Sequence, residues 1–160
     1  LPAGVIARAP IDRDLWPLAH LRAACCATEA DRGWSDTPGV LMNAYGALGV
    51  AVEKGRATVL ERDGQPVGYV CWEADEGRGT FVVVLEEALR GAGRVRALTR
   101  MALEGLRSLG VKRYTARSNQ PGMLKVAVEL GASPEGMEWD RSAPLDLAHF
   151  AAHYGSLSRD

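Results

Sequence analysis

Residues 80–110 read TFVVVLEEALRGAGRVRALTRMALEGLRSLG, and this stretch decides the fold. Its first six residues are apolar or β-branched throughout, which is typical of a strand buried on both faces. A short acidic turn follows at residues 86–87, and the glycine-rich segment 90–95 comes next. The apolar residues then recur at helical spacing up to Gly110. The stretch therefore predicts a buried strand, a glycine turn and an amphipathic helix in direct succession.

The glycine-rich segment is a candidate anion site. Its two glycines allow the backbone to approach a ligand closely. The unpaired N–H groups of a helix N-terminus would point at that ligand, and the helix dipole favours negative charge there. Positive charge at the same end comes from four arginines: Arg90, Arg94, Arg96 and Arg100. A diphosphate is the expected ligand; the alternative is a plain strand-to-helix turn, since the segment matches neither a dinucleotide fingerprint nor a P-loop.

The flanking elements complete an α/β (α+β) pattern. Before the central stretch we expect a strand at 5–9, helices at 16–29 and 37–54, and a hairpin of strands 57–62 and 66–73 around Asp63-Gly64. After it we expect a strand at 113–118, a helix at 121–130, a strand at 137–142 and a helix at 145–154. The order β α α β β β α β α β α predicts a mixed central sheet flanked by helices, in a single domain spanning 1–160.

Composition excludes several classes of protein. The 160 residues carry a net charge of −1, so there is no overall electrostatic reason to bind nucleic acid or an anionic membrane. No apolar run reaches the roughly 18–20 residues of a bilayer span. The three cysteines, Cys25, Cys26 and Cys71, indicate a reducing compartment rather than a disulfide framework. Residues 1–4 show no signal-peptide pattern, so a cytoplasmic location is expected.

The central stretch resembles the GNAT N-acetyltransferase superfamily. Arg90-x-x-Gly93 after an apolar strand is similar to that family's pyrophosphate motif, Arg/Gln-x-x-Gly-x-Gly/Ala. The segment SNQPGM at 118–123, followed by Leu130-Gly131, resembles the family's next unit, in which an Asn-containing strand end leads to a helix closing on Leu-Gly. The resemblance covers most of the chain. It implies a splayed sheet that holds acetyl-CoA between its fourth and fifth strands.

The resemblance also implies cofactor-binding residues. The strand-end backbone would bind the pantetheine arm as an extra strand, through Val83, Val84 and Leu85. The turn amides would bind the pyrophosphate, through Arg90, Gly91, Ala92, Gly93, Arg94 and Val95. Asn119 and Gln120 would lie near the thiol end, with Asn119 a candidate catalytic residue.

The implied reaction is direct attack of an amine, on a small molecule or a peptide, upon the thioester of acetyl-CoA. Glu73, at the end of the third strand, is the candidate general base, although a strand-end carboxylate is more often merely solvated. Trp34, Tyr45 and Trp72 could line an acceptor pocket or belong to the core. His149 and His153 have the spacing of metal ligands on a helix, but no cysteine or pair of carboxylates accompanies them, so no metal site is expected.

Three departures from the family pattern leave alternatives open. Val95 stands where the motif's last Gly/Ala belongs. Ala127 stands where many members have a Tyr that protonates the leaving thiolate. The 28 residues after Ala132 fit one strand and one helix, so the family's last strand would be absent or supplied by a partner in a homodimer. The alternatives are a non-catalytic GNAT-like domain that binds CoA or a protein, and a subunit-assembly role for the C-terminal helix.

Overall fold

The computed structural model describes residues 3–26, 38–91, 93–118, 126, 129–130, 133–139 and 151–156. Its helices are α1 (Leu15–Cys26), α2 (Pro38–Glu53) and α3 (Arg94–Ser108). Its strands are β1 (Val5–Arg8), β2 (Ala57–Arg62), β3 (Gln65–Asp75), β4 (Arg78–Leu85), β5 (Arg113–Ser118), β6 (Ser133–Trp139) and β7 (Ala151–Ser156). Their hydrogen-bonded order is β1-β2-β3-β4-β5-β7-β6, so the class is the predicted mixed α+β.

The chain divides into two compact units. The first comprises Leu1–Cys71 and Val83–Arg94, and the second comprises Trp72–Val82 and Val95–Asp160. Strands β3 and β4 therefore contribute residues to both units. Single-domain organisation remains a prediction.

In the first unit, β1, β2 and β3 pair antiparallel. The turn between β2 and β3 has positive φ at Asp63 (52°) and Gly64 (77°). This is the backbone that an Asp-Gly dipeptide favours between right-twisted strands, so the predicted hairpin is confirmed. Helix α2 ends as expected, with Gly55 at φ 68° donating its N–H to the carbonyl of Val52.

A partly buried ion cluster links β1 to the 3₁₀ turn (Asp12–Asp14) that precedes α1. Asp14 is 2% exposed and accepts two hydrogen bonds from the guanidinium of Arg8, at 2.7 and 2.9 Å. It also accepts the backbone N–H of Ile11 at 2.8 Å. The Nε of Arg8 donates to Glu61 on β2. The hydrogen bonds from Arg8 hold the pKa of Asp14 below its usual range, against the opposing effect of burial.

In the second unit, β4 and β5 are parallel, with residues 78–81 of β4 registered against residues 113–116 of β5. Helix α3 connects the two strands along the chain and buries one face, formed by Leu98, Thr99, Ala102, Leu103 and Leu106. Two glycines permit close packing at this face. A Cβ at Gly105 would lie 2.3 Å from the ring of Trp72, and a Cβ at Gly79 would lie 2.5 Å from Leu106.

The C-terminal region differs from the prediction. The helix expected at 145–154 is wrong over residues 151–154, because residues 151–156 form β7, which pairs antiparallel with both β5 and β6. Residues 145–150 lie outside the described ranges. The order therefore ends in two strands, and both strands of the closing hairpin are supplied by this chain. Strand β6 spans Ser133–Trp139 rather than 137–142. Short apolar runs suit a strand or a helix equally, and pairing with two neighbouring strands decides for the strand here.

Other predicted elements lie partly outside the described residues. Residues 27–29 of the first helix, Thr37 and the loop at 31–36 are not described. The helix expected at 121–130 is represented by Val126 and Glu129, with the N–H of Leu130 donating to the carbonyl of Val126. Within the described ranges, no helix combines the length and the hydrophobicity needed to cross a bilayer.

Gly105 tests the packing of α3. Replacing a helical glycine with alanine normally stabilises the helix by about 1 kcal/mol. At position 105, however, the added Cβ would displace Trp72, and such overpacking costs about 1–3 kcal/mol. We therefore expect Gly105→Ala to lower the free energy of unfolding, measured by urea titration with circular dichroism. Gly46→Ala is the matched control on α2, where a Cβ meets nothing within 4 Å and alanine should stabilise. Equal gains in both variants would contradict the packing.

Asp14 predicts a pH-dependent contribution to stability. The pKa of Asp14 is lower in the folded protein than its unfolded value of about 3.9, so the ionised carboxylate stabilises the fold at pH values above about 3.9. This contribution is lost as the pH falls through the folded pKa. Arg8→Met leaves the buried carboxylate without its cation and should cost about 2–3 kcal/mol at pH 7. The difference from wild type should narrow below about pH 4. Urea unfolding at pH 7 and pH 3 measures this difference. Arg100→Met, at an exposed position, is the control, and a difference that does not change with pH would contradict the assignment.

Candidate functional site

The connection from β4 to α3 is held at its start by backbone hydrogen bonds. Glu86, the residue after β4, donates its N–H to the carbonyl of Val67 at 3.0 Å. A short 3₁₀ turn (Glu87–Leu89) follows, in which the N–H of Leu89 donates to Glu86 and that of Arg90 donates to Glu87. The side chain of Leu89 is 5% exposed. The connection is therefore anchored before it reaches the glycines.

Both glycines of the segment adopt the left-handed backbone. Gly91 has φ 89° and Gly93 has φ 79°. A Cβ at either position would meet nothing within 4 Å, so it is the conformation, and not crowding, that favours glycine. The N–H of Arg94 closes the turn on the carbonyl of Gly91 at 3.1 Å. Helix α3 begins at Arg94. The N–H groups of its first turn, which lack partners within the helix, therefore come directly after the two glycines.

Two arginines fold back onto the connection. The Nε of Arg90 donates to the carbonyl of Leu85 at 3.1 Å, and the Nη1 of Arg94 donates to the carbonyl of Leu89 at 3.0 Å. Both side chains are half-buried. Each guanidinium is thus held beside the turn by one of its nitrogens while others remain as donors. This arrangement is suited to binding an anion with two or more oxygens.

The four arginines within residues 90–100 are not equivalent. Arg96 pairs with Glu129, so its charge is compensated, and Arg100 is exposed. Within the described part of the chain, neither Arg90 nor Arg94 pairs with a carboxylate. The two guanidinium charges nearest the glycines are therefore not offset by an ion pair among the described residues. The sequence alone could not separate these roles, because the partner of Arg96 lies 33 residues away.

The end of β4 leads directly into this turn. Val83 is half-buried, while Val84 and Leu85 are buried. Residues 78–81 of β4 pair with β5, and β4 continues to Leu85. The predicted strand end and turn thus form one continuous backbone segment. Val95 is half-buried within the first turn of α3, and its carbonyl accepts the hydroxyl of Thr99 at 2.8 Å.

Glu73 lies within β3, which continues to Asp75, and not at the strand end that the sequence suggested. Its side chain is half-buried, and its Oε1 accepts the backbone N–H of Ala74 at 3.0 Å. It belongs to the second unit, whereas residues 83–94 belong to the first.

Several predicted site residues lie outside the described ranges: Ala92, Asn119, Gln120, Ala127, Trp34 and His149. His153 lies on strand β7, so the helical spacing invoked for a metal pair is wrong. The described residues contain no group of three potential metal ligands. Trp72 packs against Gly105, and Tyr45 stacks on Trp16 at 4.4 Å between ring centroids.

Comparison with solved structures identifies the fold. Ribosomal-protein-alanine N-acetyltransferase from Brucella melitensis matches with a TM-score of 0.70 and 20% identity, over 94% of this chain and 98% of that one. The yncA protein of Salmonella typhimurium, solved with its cofactor acetyl-CoA, matches with a TM-score of 0.70 and 16% identity, over 98% and 96%. A GNAT superfamily phosphinothricin acetyltransferase from Sinorhizobium meliloti, in complex with acetyl-CoA, matches with a TM-score of 0.69 and 15% identity, over 96% and 88%.

These similarities extend over nearly the whole of each chain. The chain therefore has the fold of the GNAT superfamily, and the resemblance seen in the sequence is confirmed at the level of the fold. No protein-family model matches the sequence. No curated protein matches it significantly.

Proposed function

We propose that the protein is an acetyl-CoA-dependent N-acyltransferase that acts on an amine of a small molecule or a peptide. One observation carries the proposal: the connection between β4 and α3. There, two left-handed glycines and two arginines without carboxylate partners among the described residues lie at the start of a 15-residue helix. Solved GNAT-fold proteins with acetyl-CoA bound support the choice of ligand.

The residues of the turn fit a diphosphate chemically. Backbone N–H groups at a helix N-terminus and guanidinium donors are the groups that proteins use to bind phosphate oxygens. Under this proposal, Gly91, Gly93 and the first turn of α3 supply N–H groups, while Arg90 and Arg94 supply charge. The backbone of residues 83–85 would bind the pantetheine arm. Asn119 and Gln120 remain proposed contacts near the thiol.

Acetyl-CoA would supply an acyl group activated as a thioester. In the proposed reaction, the acceptor nitrogen attacks the thioester carbonyl, the C–S bond breaks, and the nitrogen loses a proton. The Glu73 carboxylate is the proposed acceptor of that proton, directly or through water. Since Ala127 cannot donate a proton to the thiolate, protonation falls to water or to another group. We place this activity in the cytoplasm, with a homodimer as the proposed assembly.

Gly93→Ala tests the diphosphate turn. An alanine held at φ 79° costs about 1–2 kcal/mol, so the turn should change shape and lose affinity for CoA. Isothermal titration with CoA should show micromolar binding by the wild type and at least about tenfold weaker binding by Gly93→Ala, which corresponds to about 1.4 kcal/mol.

Gly110→Ala is the matched control for this experiment. It lies beyond the opposite end of α3 at φ 76°, and a Cβ there also meets nothing within 4 Å. It carries the same backbone strain but should leave CoA affinity unchanged. Unchanged affinity in Gly93→Ala would refute the diphosphate assignment, and no binding by the wild type would refute the cofactor.

Glu73→Gln tests catalysis separately from binding. Loss of a general base typically lowers kcat by about 10²–10⁴-fold, while the dissociation constant for CoA should stay the same, because Glu73 is not assigned to the cofactor. The measurement is release of free thiol from acetyl-CoA across a panel of amines, with Asp75→Asn on the same strand as the control. Wild-type CoA binding without turnover of any amine would favour the non-catalytic alternative instead.

A further inference from the structure

An ion pair lies beside the proposed diphosphate turn and has no role in the function described so far. Arg62, the last residue of β2, donates from its Nη2 to the Oε1 of Glu86. Both side chains are partly exposed, at 40% for Arg62 and 26% for Glu86. The two residues are 24 positions apart in the sequence, so the pattern of residues near the glycines could not reveal the pair.

The position of Glu86 is fixed by its own backbone. Its N–H donates to the carbonyl of Val67, and its carbonyl accepts the N–H of Leu89, both at 3.0 Å. These bonds fix the backbone of Glu86 at the start of the 3₁₀ turn that leads into Arg90, while its carboxylate pairs with Arg62. A negative charge at the start of this turn opposes the binding of a diphosphate, because like charges repel. Salt largely screens that repulsion only beyond a Debye length of about 8 Å at physiological ionic strength.

Arg62 offsets that charge. Glu86 is more buried than its neighbour Glu87, which is exposed, so solvent screens the charge of Glu86 less. The ion pair also holds the carboxylate against the end of β2. We propose that Arg62 is a positioning residue for acetyl-CoA, which neutralises Glu86 and directs its carboxylate toward β2. This inference rests on the proposed function, because it requires that the turn bind the diphosphate.

A double-mutant cycle tests the inference by CoA titration. Arg62→Gln leaves Glu86 unpaired and should weaken CoA binding by about three- to tenfold at low salt. Glu86→Gln should bind CoA at least as tightly as the wild type. The double variant restores the local charge balance, so its affinity should return to within about twofold of wild type. In 0.5 M NaCl the loss in Arg62→Gln should shrink, as screening predicts and as a purely structural role does not.

The loss of this partly exposed ion pair should lower the free energy of unfolding by only about 1 kcal/mol, so the variants are expected to fold. Arg13→Gln is the control for net charge. It removes one positive charge from an exposed residue that follows the Arg8 end of β1. Arg62 lies opposite Val5 in the strand ladder, at the other end of β1. Its CoA affinity should equal that of the wild type.

The outcomes distinguish failure of the role inferred for Arg62 from failure of the proposed acetyl-CoA-dependent function. If the wild type fails to bind CoA, the proposed function is wrong and the inference falls with it. If the wild type binds but Arg62→Gln binds equally well, only the inference is overturned. If the double variant remains as weak as Arg62→Gln, neutralisation of Glu86 is also overturned, because Arg62 must then act without Glu86.

Discussion

The connection between Leu85 and Arg94 has to satisfy its backbone polar groups while keeping some of them available for a ligand. Five of its carbonyl oxygens accept hydrogen bonds from nearby donors: the carbonyls of Leu85, Glu86, Glu87, Leu89 and Gly91. A carbonyl oxygen directed outward would repel a phosphate oxygen. Because these five carbonyls already accept hydrogen bonds, they oppose an anion less than free carbonyls would. The proposed anion site follows from this distribution of hydrogen bonds.

The arginines that would bind the anion also help to build the turn. Arg90 and Arg94 each give one nitrogen to a backbone carbonyl, which restricts rotation of a side chain that otherwise has many rotamers. A side chain that is ordered before the ligand arrives loses less conformational entropy on binding. The glycines contribute in the same sense, since their positive φ is part of the fold. The proposed site would therefore be preorganised by local hydrogen bonds made by Arg90 and Arg94.

Much of this fold could be predicted from local sequence signals. Strands β2 and β5 have the predicted bounds, and the Asp63-Gly64 turn and the glycine ends of α2 and α3 follow from residue-specific backbone preferences. The apolar spacing predicts a helix over 145–154, yet residues 151–156 form a strand, because pairing with β5 and β6 decides between two structures that this spacing suits equally. The left-handed backbone of the proposed diphosphate turn was also predictable, because it depends on glycines that are close together in the chain. The ion pairs that adjust its charge were not.

The charge of the site shows why composition alone is a weak guide to binding. The sequence places four arginines within residues 90–100, close to two glutamates at 86 and 87. In the structure, Arg96 is paired with Glu129, and Glu86 is paired with Arg62. The first pair removes a positive charge and the second removes a negative one, and both partners come from distant positions in the chain. The turn therefore keeps the charge of Arg90 and Arg94, which are anchored to its own backbone, and this local balance would determine its affinity for a diphosphate.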